Sequence, residues 1–553
     1  MGAVKWEATA MKVVEAIAEI LRREGVEMLI AYPVNHVIEY SARIDIRTII
    51  VRQERIGLHM ADALSRLTSG EKIGVFAMQH GPGAENAFGG VAQAYGESVP
   101  ILVIPQGYPQ DIAQVEPNFS SALNYKHVTK SAEPLVHPNH VVDVMRRAFT
   151  RVRNGRPGPV LVEVPSNLMM AEYEGEIDYT PAVTLRSAPD PEGVERMAET
   201  LVAAKCPVLY AGQGVHYAKA WDDLKRLSEL LAAPVTTSLQ GKSAFAENHP
   251  LSLGSCGRAI PKMVHEYLAK ADVIFGIGCS FTRTGFGTQM PKGKTILHAT
   301  LDPLDVNKNQ VSDQALIGDA GLTLRALNVA VEERLGGQAR NSVPVADDIA
   351  RIKAEWMEQW LPKLTSAETP LSPYRVLWDL HRTVDRANTI ITHDAGSPRD
   401  QISPFWEAIQ PLSYIGWGKT TQLGYGLGLA MGAKLACPDK LCINVWGDAA
   451  IGFTGMDFET AVRERIPILS ILMNNFSMAI ELPIMEVSTE KFRSTDISGD
   501  YAAMARAFGG HGERVSDPSE IVPAIRRGIE RTEAGVPALL EFITQKEIEI
   551  SKF

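Results

Sequence analysis

Short apolar runs alternate with amphipathic stretches along nearly the whole chain. Residues 27–33, 72–78 and 99–105 are apolar runs bounded by Gly, Pro or charged residues, which is the pattern of buried strands. Residues 55–70 and 140–155 lie between such runs and carry apolar residues at helical spacing. This alternation predicts an α/β fold in which helices cover parallel sheets.

The alternation falls into three blocks of similar size. Two segments rich in Pro and charged residues, 174–193 and 336–372, separate the blocks, and the second also carries a helical pattern. Since a typical domain has roughly 150 residues, a chain of 553 residues is too long for one core. We therefore predict three doubly wound parallel-sheet domains, over residues 1–185, 190–340 and 370–553.

The charge and the length of the apolar runs argue against two classes of partner. The formal net charge is −10, whereas nucleic-acid-binding domains usually carry a basic surface. No apolar run reaches about 18 residues, the length that a membrane-spanning helix needs. We therefore expect neither a nucleic acid nor a membrane as partner.

The cysteines and the N-terminal residues bear on cellular location. The five cysteines include no C-x-x-C pair, and an odd number cannot all pair within one chain. Residues 1–33 lack the charged, apolar and cleavage regions of a signal peptide. We expect reduced cysteines, mostly in the core, and a cytoplasmic protein.

Two neighbouring apolar runs in the third block end in polar residues. One run leads into Asp448, and the next leads into Asn475. The carboxyl ends of neighbouring parallel strands meet at the edge of a sheet where ligands bind. A carboxylate and an amide carbonyl are hard oxygen ligands that suit Mg²⁺ or Ca²⁺. The alternative is a hydrogen-bonded Asp in a turn and a surface Asn pair.

The segment between these two runs supports the metal interpretation. Residues 452–465 have the pattern of one helix, so the two runs and this helix form a βαβ unit. The small residues Ala449 and Ala450 follow the carboxylate, and their backbone N–H groups can approach a phosphate at the start of a helix. The physical interpretation is a diphosphate held by Mg²⁺.

This spacing resembles the thiamin diphosphate (ThDP) motif, which opens with Gly-Asp-Gly and closes with Asn-Asn. Gly447 and Asp448 match its start, whereas Ala449 stands where the motif has its second glycine. The resemblance implies that Mg²⁺ is bound by the side-chain oxygens of Asp448 and Asn475 and by the backbone carbonyl of Ser477.

A second segment resembles the part of these enzymes that binds the pyrimidine ring of ThDP. Residues 49–66 are similar to their strand–Glu–helix segment, and Glu54 takes the position of the Glu that hydrogen-bonds N1′ of the aminopyrimidine. Protonation of N1′ promotes loss of the proton at C2 of the cofactor. Taken locally, Glu54 is also simply a favourable carboxylate at a helix N-terminus.

Further resemblances extend over residues 10–545. Residues 394–397 resemble the family's diphosphate-contacting turn, in which Gly396 and Ser397 supply backbone and hydroxyl donors. Leu423 takes the place of the large apolar residue on which the bent cofactor rests. The chain is thus identified as a member of the group of ThDP-dependent enzymes that includes acetolactate synthases, pyruvate decarboxylases and oxalyl-CoA decarboxylases.

Membership of this group implies a pyrimidine-binding domain, a Rossmann-like middle domain and a diphosphate-binding domain, in that order. It also implies a homodimer or homotetramer, because Glu54 of one subunit meets the ThDP held by Asp448 of another. In the middle domain the group binds FAD or an ADP-containing nucleotide, and Gly212 and Gly214 lie where such a ligand is expected. The acetolactate synthase pattern Arg-Phe-Asp-Asp-Arg is replaced at 280–284, which argues against FAD.

Five residues are expected to act on the substrate or near it. The family places the loops that carry Asn35, Gln79 and His80 over the thiazolium ring. A histidine there can hydrogen-bond a substrate carboxylate or oxyanion. Ile480 and Glu481 resemble the Ile-Glu pair of pyruvate decarboxylases, in which the Glu manages protons at the reactive carbon. For His80 the alternative is a purely structural histidine, and for Glu481 it is a solvated helix residue.

The features that distinguish subfamilies point in different directions. Residues 52–69 and 80–86 are closer to acetolactate synthases, whereas Pro33 and Val34 are closer to oxalyl-CoA decarboxylases and 2-hydroxyacyl-CoA lyases. We expect a carboligase that decarboxylates a 2-oxo acid, with a simple 2-oxo acid decarboxylase or an acyl-CoA enzyme as alternatives. A non-catalytic subunit that kept the fold is an alternative of another class, against which Glu54 speaks.

Overall fold

A computed structural model of the chain describes residues 11–420 and 422–553. Its strands form three six-stranded sheets in which every pairing is parallel, and helices flank each sheet. This architecture confirms the predicted α/β class with three parallel-sheet domains. The domain boundaries given above stay a prediction.

The first sheet is built from strands of four to seven residues, namely β1 (Met28–Ala31), β2 (Arg47–Ile50), β3 (Gly74–Met78), β4 (Ile101–Gly107), β5 (Ser131–Pro134) and β6 (Val160–Pro165). Its helices are α1 (Val13–Arg23), α2 (His36–Ala42), α3 (Glu54–Leu67), α4 (Pro82–Gly96), α5 (Ser121–Asn124), α6 (Val141–Arg153) and α7 (Ser166–Met169). The strand order is β2-β1-β3-β4-β6-β5. β3 and β4 are buried along their whole length, as expected for parallel strands covered on both faces.

The middle sheet consists of β7 (Pro207–Ala211), β8 (Val235–Thr237), β9 (Ser252–Ser255), β10 (Val273–Ile277), β11 (Thr295–Thr300) and β12 (Gln314–Ile317). Its helices are α8 (Pro191–Ala203), α9 (Gly214–Tyr217), α10 (Trp221–Leu231), α11 (Lys262–Lys270) and α12 (Ala320–Arg334), and α13 (Val343–Leu364) follows them. The strand order is β12-β11-β10-β7-β8-β9. This is the order of dinucleotide-binding folds, with the switch point between β7 and β10.

The third sheet consists of β13 (Thr389–His393), β14 (Tyr414–Ile415), β15 (Leu441–Gly447), β16 (Leu469–Asn474), β17 (His511–Val515) and β18 (Ala538–Ile543). The helices in this part of the sequence are α14 (Pro373–Thr383), α15 (Ser397–Ile402), α16 (Tyr425–Ala436), α17 (Asp448–Thr454), α18 (Phe458–Arg463), α19 (Glu486–Phe492), α20 (Tyr501–Ala507) and α21 (Ile521–Glu533). The strand order, β14-β13-β15-β16-β18-β17, repeats the pattern of the first sheet.

The segment 452–465, predicted as one helix, forms two. A 3₁₀ turn over Gly455–Asp457 separates α17 from α18. Oδ1 of Asp457 accepts the N–H of Arg52 at 2.8 Å and the hydroxyl of Thr460 at 2.9 Å. A partner so distant in the sequence leaves no trace in the local periodicity, so the pattern of apolar residues could not show the break.

By its internal contacts the chain divides into two compact units. The first unit holds the described residues up to Leu185 together with Leu427–Pro438 and Met456–Glu464, and the second unit holds the others. Within the first unit, a Cβ atom added to Gly432 would lie 2.4 Å from the carbonyl oxygen of Met60, so the glycine lets α16 approach α3 closely. Two short segments from late in the sequence therefore complete a core made mostly of early residues.

All five cysteines are free, and Cys256, Cys279 and Cys442 are buried. No helix in the described part of the chain combines the length and the apolar character that crossing a membrane requires.

Candidate functional site

The strand order of the third sheet creates a crevice at the carboxyl ends of β13 and β15. The chain runs from β13 to β14 on one side and then crosses to β15 on the other, and ligands bind at such switch points. The turn after β13 contains Gly396, β15 leads into Asp448, and β16 leads into Asn475. Because β15 pairs with both β13 and β16, the structure brings these predicted metal and diphosphate residues to one edge of the sheet.

Asp448 links the ends of two neighbouring strands. Its Oδ1 accepts the N–H of Ala449 at 2.9 Å, and its Oδ2 accepts the N–H groups of Asn475 at 3.1 Å and Ser477 at 3.2 Å. The side chain is buried, and burial raises the pKa of the carboxyl group, while the three N–H donors oppose the rise. A cation at this carboxylate would offset the cost of burying its charge.

The loop after β16 presents further oxygen atoms. Oδ1 of Asn475 accepts the N–H of Ser477 at 3.0 Å, which fixes the amide oxygen beside the loop backbone. Ser477 is 2% exposed, and its hydroxyl has no hydrogen-bond partner among the described residues. The buried carboxylate, the amide oxygen and the backbone carbonyl of Ser477 are hard oxygen donors that suit a cation such as Mg²⁺, and the unpartnered hydroxyl leaves this polar loop open to a ligand.

Asp394 joins the turn after β13 to the start of α16. Oδ1 accepts the N–H groups of Ala395 at 2.7 Å and Gly424 at 2.9 Å, and Oδ2 accepts that of Gly426 at 2.9 Å. The side chain is fully buried, and desolvation raises the pKa of the carboxyl group to about 6. The turn was predicted from its sequence, but this clamp was missed, because three backbone donors gathered from two segments leave no local pattern.

The other predicted residues of this domain lie around the same edge. Gly396 has φ +86°, and a Cβ atom there would lie 3.7 Å from Cδ1 of Ile480, so the turn and the loop after β16 come together. Leu423 is half-buried immediately before the clamped Gly424. The remaining predicted residues of this domain lie in four elements. Ser397 begins α15, Gly447 ends β15, Ala450 is buried in α17, and Glu481 is half-buried in a 3₁₀ turn.

A second cluster surrounds Glu54 at the carboxyl edge of the first sheet. Glu54 is the first residue of α3 and is 3% exposed. Its Oε1 lies 3.2 Å from the point that a Cβ atom on Gly83 would occupy, and Cγ of Gln79 lies 2.8 Å from the same point. Desolvation raises the pKa of the Glu54 carboxyl group, and a hydrogen bond with the side chain of Asn86 opposes the rise. Gly83 and Asn86 were missed at the sequence level.

His80 lies in the same unit and has two neighbours that the sequence did not suggest. Its Nδ1 lies 3.3 Å from Nε2 of Gln106, and its ring centroid lies 4.5 Å from that of Tyr108. The half-buried imidazole is thus held between a hydrogen bond and an aromatic ring. These two contacts hold the imidazole just after the carboxyl end of β3.

Asn35 uses its amide inside the fold. Nδ2 donates to the carbonyl groups of Met78 and Ile104, both at 2.9 Å, and Oδ1 accepts the N–H of Val37 at 3.0 Å. The amide thereby connects the end of β3 with the middle of β4 and caps α2. These contacts give Asn35 a role in positioning the loops that carry Gln79 and His80.

The Gly-x-Gly pair of the middle domain also has a structural use. The N–H of Gly212 donates to the carbonyl of Ile277 at 2.9 Å, and that of Gly214 donates to the carbonyl of Gly278 at 2.8 Å. The two amides therefore join the loops after β7 and β10. The motif by itself gives no support for a bound nucleotide, because its donors are already engaged.

Comparison with known proteins adds independent findings. Residues 11–129 match the thiamine pyrophosphate enzyme N-terminal TPP binding domain, residues 194–327 match the thiamine pyrophosphate enzyme central domain, and residues 394–542 match the C-terminal TPP binding domain. The three matches follow the order of the three sheets and together span most of the chain.

The same comparison found relatives along nearly the whole length. The chain is 27% identical to the probable acetolactate synthase large subunit of Methanocaldococcus jannaschii, over 96% of this chain and 92% of that protein. It is 28% identical to the acetolactate synthase isozyme 3 large subunit of Escherichia coli, over 94% of this chain and 92% of that protein. It is 27% identical to a probable acetolactate synthase large subunit of Methanococcus aeolicus, over 96% of this chain and 91% of that protein.

Proposed function

The chain belongs to the thiamine diphosphate-dependent enzymes, and from that premise we propose that it is an acetolactate synthase-like carboligase that decarboxylates a 2-oxo acid. Similarity to acetolactate synthase large subunits over more than nine-tenths of the chain supports this reaction. The observation that carries the proposal is a pair of buried carboxyl groups at strand ends, Glu54 and Asp448, each at the end of its sheet where ligands bind.

Asp448, Asn475 and Ser477 would hold Mg²⁺, the first two through side-chain oxygens and the third through its carbonyl. Gly396, Ser397, Gly447, Ala449 and Ala450 would lie around the diphosphate of the cofactor, and Leu423 and Ile480 around its rings. When bound, ThDP supplies the carbon that adds to the substrate carbonyl and accepts the electrons released on decarboxylation. Asp394 ties the turn after β13 to the start of α16, next to Leu423, which supports this assignment.

Glu54 would hold a proton at its carboxyl group and share it with ring nitrogen N1′ of the aminopyrimidine. Burial supports this role, because desolvation raises the pKa of the Glu54 carboxyl group and so favours its protonated form. His80 would donate a hydrogen bond to the substrate carboxylate, with Gln79 beside it. Glu481 would exchange a proton with the product carbon, and Asn35 would position the loop of His80.

The active form would be a homodimer or a dimer of dimers. Glu54 and Asp448 lie in different compact units, and the family resemblance pairs them across two subunits. Large apolar side chains near both clusters are exposed, among them Phe476 (38%) beside Asn475 and Phe88 (37%) on α4. Exposed apolar side chains beside each predicted cluster support a second copy of the chain as the partner.

A second candidate is simple decarboxylation of a 2-oxo acid. The observation that favours it is the Ile480–Glu481 pair, because Cδ1 of Ile480 lies 3.7 Å from the point that a Cβ atom on Gly396 would occupy. An acyl-CoA substrate is the third possibility. The proposed carboligation is redox-neutral and requires no flavin, so the FAD or ADP-containing nucleotide expected in the middle domain stays a prediction, as does a cytoplasmic location.

The test is to incubate the protein, loaded with ThDP and Mg²⁺, with a panel of 2-oxo acids and acyl-CoAs and to identify the products by mass spectrometry. Acetolactate or a related 2-hydroxy-3-oxo acid supports carboligation, whereas an aldehyde alone supports simple decarboxylation. Turnover of acyl-CoAs only would contradict both. A visible absorbance spectrum of the same sample reports any flavin.

A further inference from the structure

The first domain contains a cavity of about 620 Å³ that none of the predicted site residues lines. It lies at the carboxyl ends of β4, β5 and β6, where Gly107, Pro134 and Pro165 contribute to its wall. Residues 108–120, which we call the closing segment, contain neither helix nor strand and form another wall. The volume is within the range of small-molecule sites in proteins.

Hydrogen bonds hold the walls of this cavity in place. The carboxyl group of buried Glu163 on β6 accepts the N–H groups of Ser121 and Ala122, both at 2.9 Å, and so fixes α5 over the sheet. Gln110 donates from Nε2 to the carbonyl of Val136 at 2.9 Å, which fixes the closing segment next to β5. The cavity is therefore preformed, and a ligand need not order its walls.

The charges of the cavity point to an anionic group on the ligand. Both oxygens of Glu163 already accept backbone N–H groups, and the ammonium of Lys130 donates to the carbonyl groups of Arg151 and Asn154. Lys126 also lines the cavity, is exposed, and makes no hydrogen bond or ion pair with any residue that the structure describes. Its ammonium is thus available to a ligand.

The remaining lining is largely apolar. Phe119 and Leu135 line the interior, and Leu123 and Val136 line the mouth with 64% and 59% of their surface exposed. An apolar ligand that covers exposed aliphatic side chains at a preformed cavity removes their surface from water, which contributes favourable free energy of binding. We propose that this cavity binds a small carboxylate with an apolar body, its carboxylate at Lys126 and its body among these side chains.

The occupant would also contact a residue that supports His80. Tyr108 lines the cavity, and its ring lies 4.5 Å from the imidazole. Its hydroxyl oxygen lies 2.7 Å from the point that a Cβ atom on Gly81 would occupy, so Tyr108 has little room to move on that side. A bound carboxylate would therefore alter turnover through His80, and this last step alone rests on the function proposed above.

Phenylacetate is a suitable probe, because it has an apolar ring and a carboxylate but no 2-oxo group on which the cofactor chemistry could act. Its binding to the full-length protein is measured by titration calorimetry, with and without ThDP and Mg²⁺. We expect saturable binding with a Kd on the order of 1 mM, and about tenfold weaker binding of the neutral analogue phenylacetamide.

Variants locate the site. Lys126→Gln should weaken binding of phenylacetate about tenfold, and Ala132→Phe and Ala113→Phe, which fill the cavity from β5 and from the closing segment, should abolish it. Lys72→Gln is the matched control, since Lys72 is an exposed lysine of the same unit that pairs with Glu27. Circular dichroism and melting curves verify that each variant is folded.

The outcomes separate this site from the proposed function. Absence of saturable binding to the wild-type protein, or binding that Lys126→Gln and folded filling variants leave unchanged, overturns the proposal. Binding that follows the expected pattern supports it even in a protein that turns over none of the 2-oxo acids tested. In that case only the proposed function fails, because the calorimetric readout does not depend on catalysis.

Discussion

The Oε1 atom of Glu54 lies 3.2 Å from the point that a Cβ atom on Gly83 would occupy, so the glycine sets the space that the carboxyl group fills. Gly83→Ala should push Glu54 and Gln79 apart by a few tenths of an ångström or more. We expect turnover to fall by about one order of magnitude, as small misplacements of a catalytic group do. Steady-state kinetics measures the loss, and Gly285→Ala is the control, since nothing lies within 4 Å of its added Cβ.

Glu54→Gln should abolish turnover while ThDP still binds, because an amide fills the same volume but cannot hold the shared proton. We expect a loss of at least about 100-fold, the lower range for removing a general acid. Exchange of the C2 proton of bound ThDP for deuterium should slow by a similar factor. If this exchange is unchanged, the non-catalytic alternative is favoured and the role given to Glu54 is wrong.

Asp448→Asn should weaken the joint binding of Mg²⁺ and ThDP. The amide carries no charge for the cation and cannot accept from all three of the N–H groups that the carboxylate now binds. We expect about 100-fold weaker ThDP binding at fixed Mg²⁺. Quenching of tryptophan fluorescence on addition of ThDP measures this affinity. Asp457→Asn removes another buried carboxylate, one whose partners lie in the first unit, and should leave this affinity within about twofold of wild type.

Two inactive variants should restore activity when they are mixed, if the site spans two copies of the chain. A mixed dimer of Glu54→Gln and Asp448→Asn chains has both defects in one site and none in the other. Random assortment at equal amounts should give about a quarter of wild-type activity. The two variants must be refolded together or co-expressed so that mixed dimers form. Each variant alone, taken through the same procedure, is the control. No recovery in a verified mixed dimer would mean that each site belongs to a single chain.

The stability of the wild-type protein relative to Asp394→Asn should depend on pH. The folded-state pKa of Asp394, about 6, is above the ordinary value of 3.8, so the folded state binds this proton more tightly than the unfolded state. The group's contribution to stability is therefore present near pH 4 and falls by about 3 kcal/mol as pH rises to about 6, then stays constant. Melting temperatures of both proteins between about pH 4.5 and 8 test this prediction. The melting temperature of the wild type relative to that of the variant should fall as pH rises.

A wild-type advantage that grew with pH would contradict a folded-state pKa of Asp394 above its ordinary value. Asp400→Asn is not a suitable control, since Asp400 is paired with Arg399 and Arg258. Asp517→Asn is better. That carboxyl group is exposed and has a lowered pKa owing to hydrogen bonds from Ser519, so its contribution should change in the opposite direction.

Much of the architecture was predictable because it rests on local signals. Apolar runs bounded by breakers located the strands, and the two runs that lead into Asp448 and Asn475 do form the neighbouring pair β15 and β16. The order of these strands followed from the βαβ rule. The resemblance then supplied roles for residues whose types alone, such as Glu54 at a helix start, were ambiguous.

The features that were missed depend on contacts between distant parts of the chain. The sequence around Asp394 does not predict that the N–H groups of Gly424 and Gly426 will donate to it. The sequence around Gly83 does not predict that the Glu54 carboxyl group will pack against it. The local sequence likewise could not show that the amides of Gly212 and Gly214 would donate to the loop after β10, and the nucleotide expected in the middle domain stays a prediction. Such relationships come from three-dimensional packing, which periodicity does not record.

The make-up of the first compact unit has a consequence for synthesis of the protein. A ribosome completes the first 185 residues long before it reaches Leu427–Pro438 and Met456–Glu464, which belong to the same unit. Until then the faces of α3 that receive α16 stay uncovered, and Arg52 lacks the carboxylate of Asp457. Although nascent domains generally fold from the N-terminus onward, the core of the first domain stays partly exposed until the last quarter of the chain has been synthesised. Truncated versions of it should therefore aggregate when expressed alone.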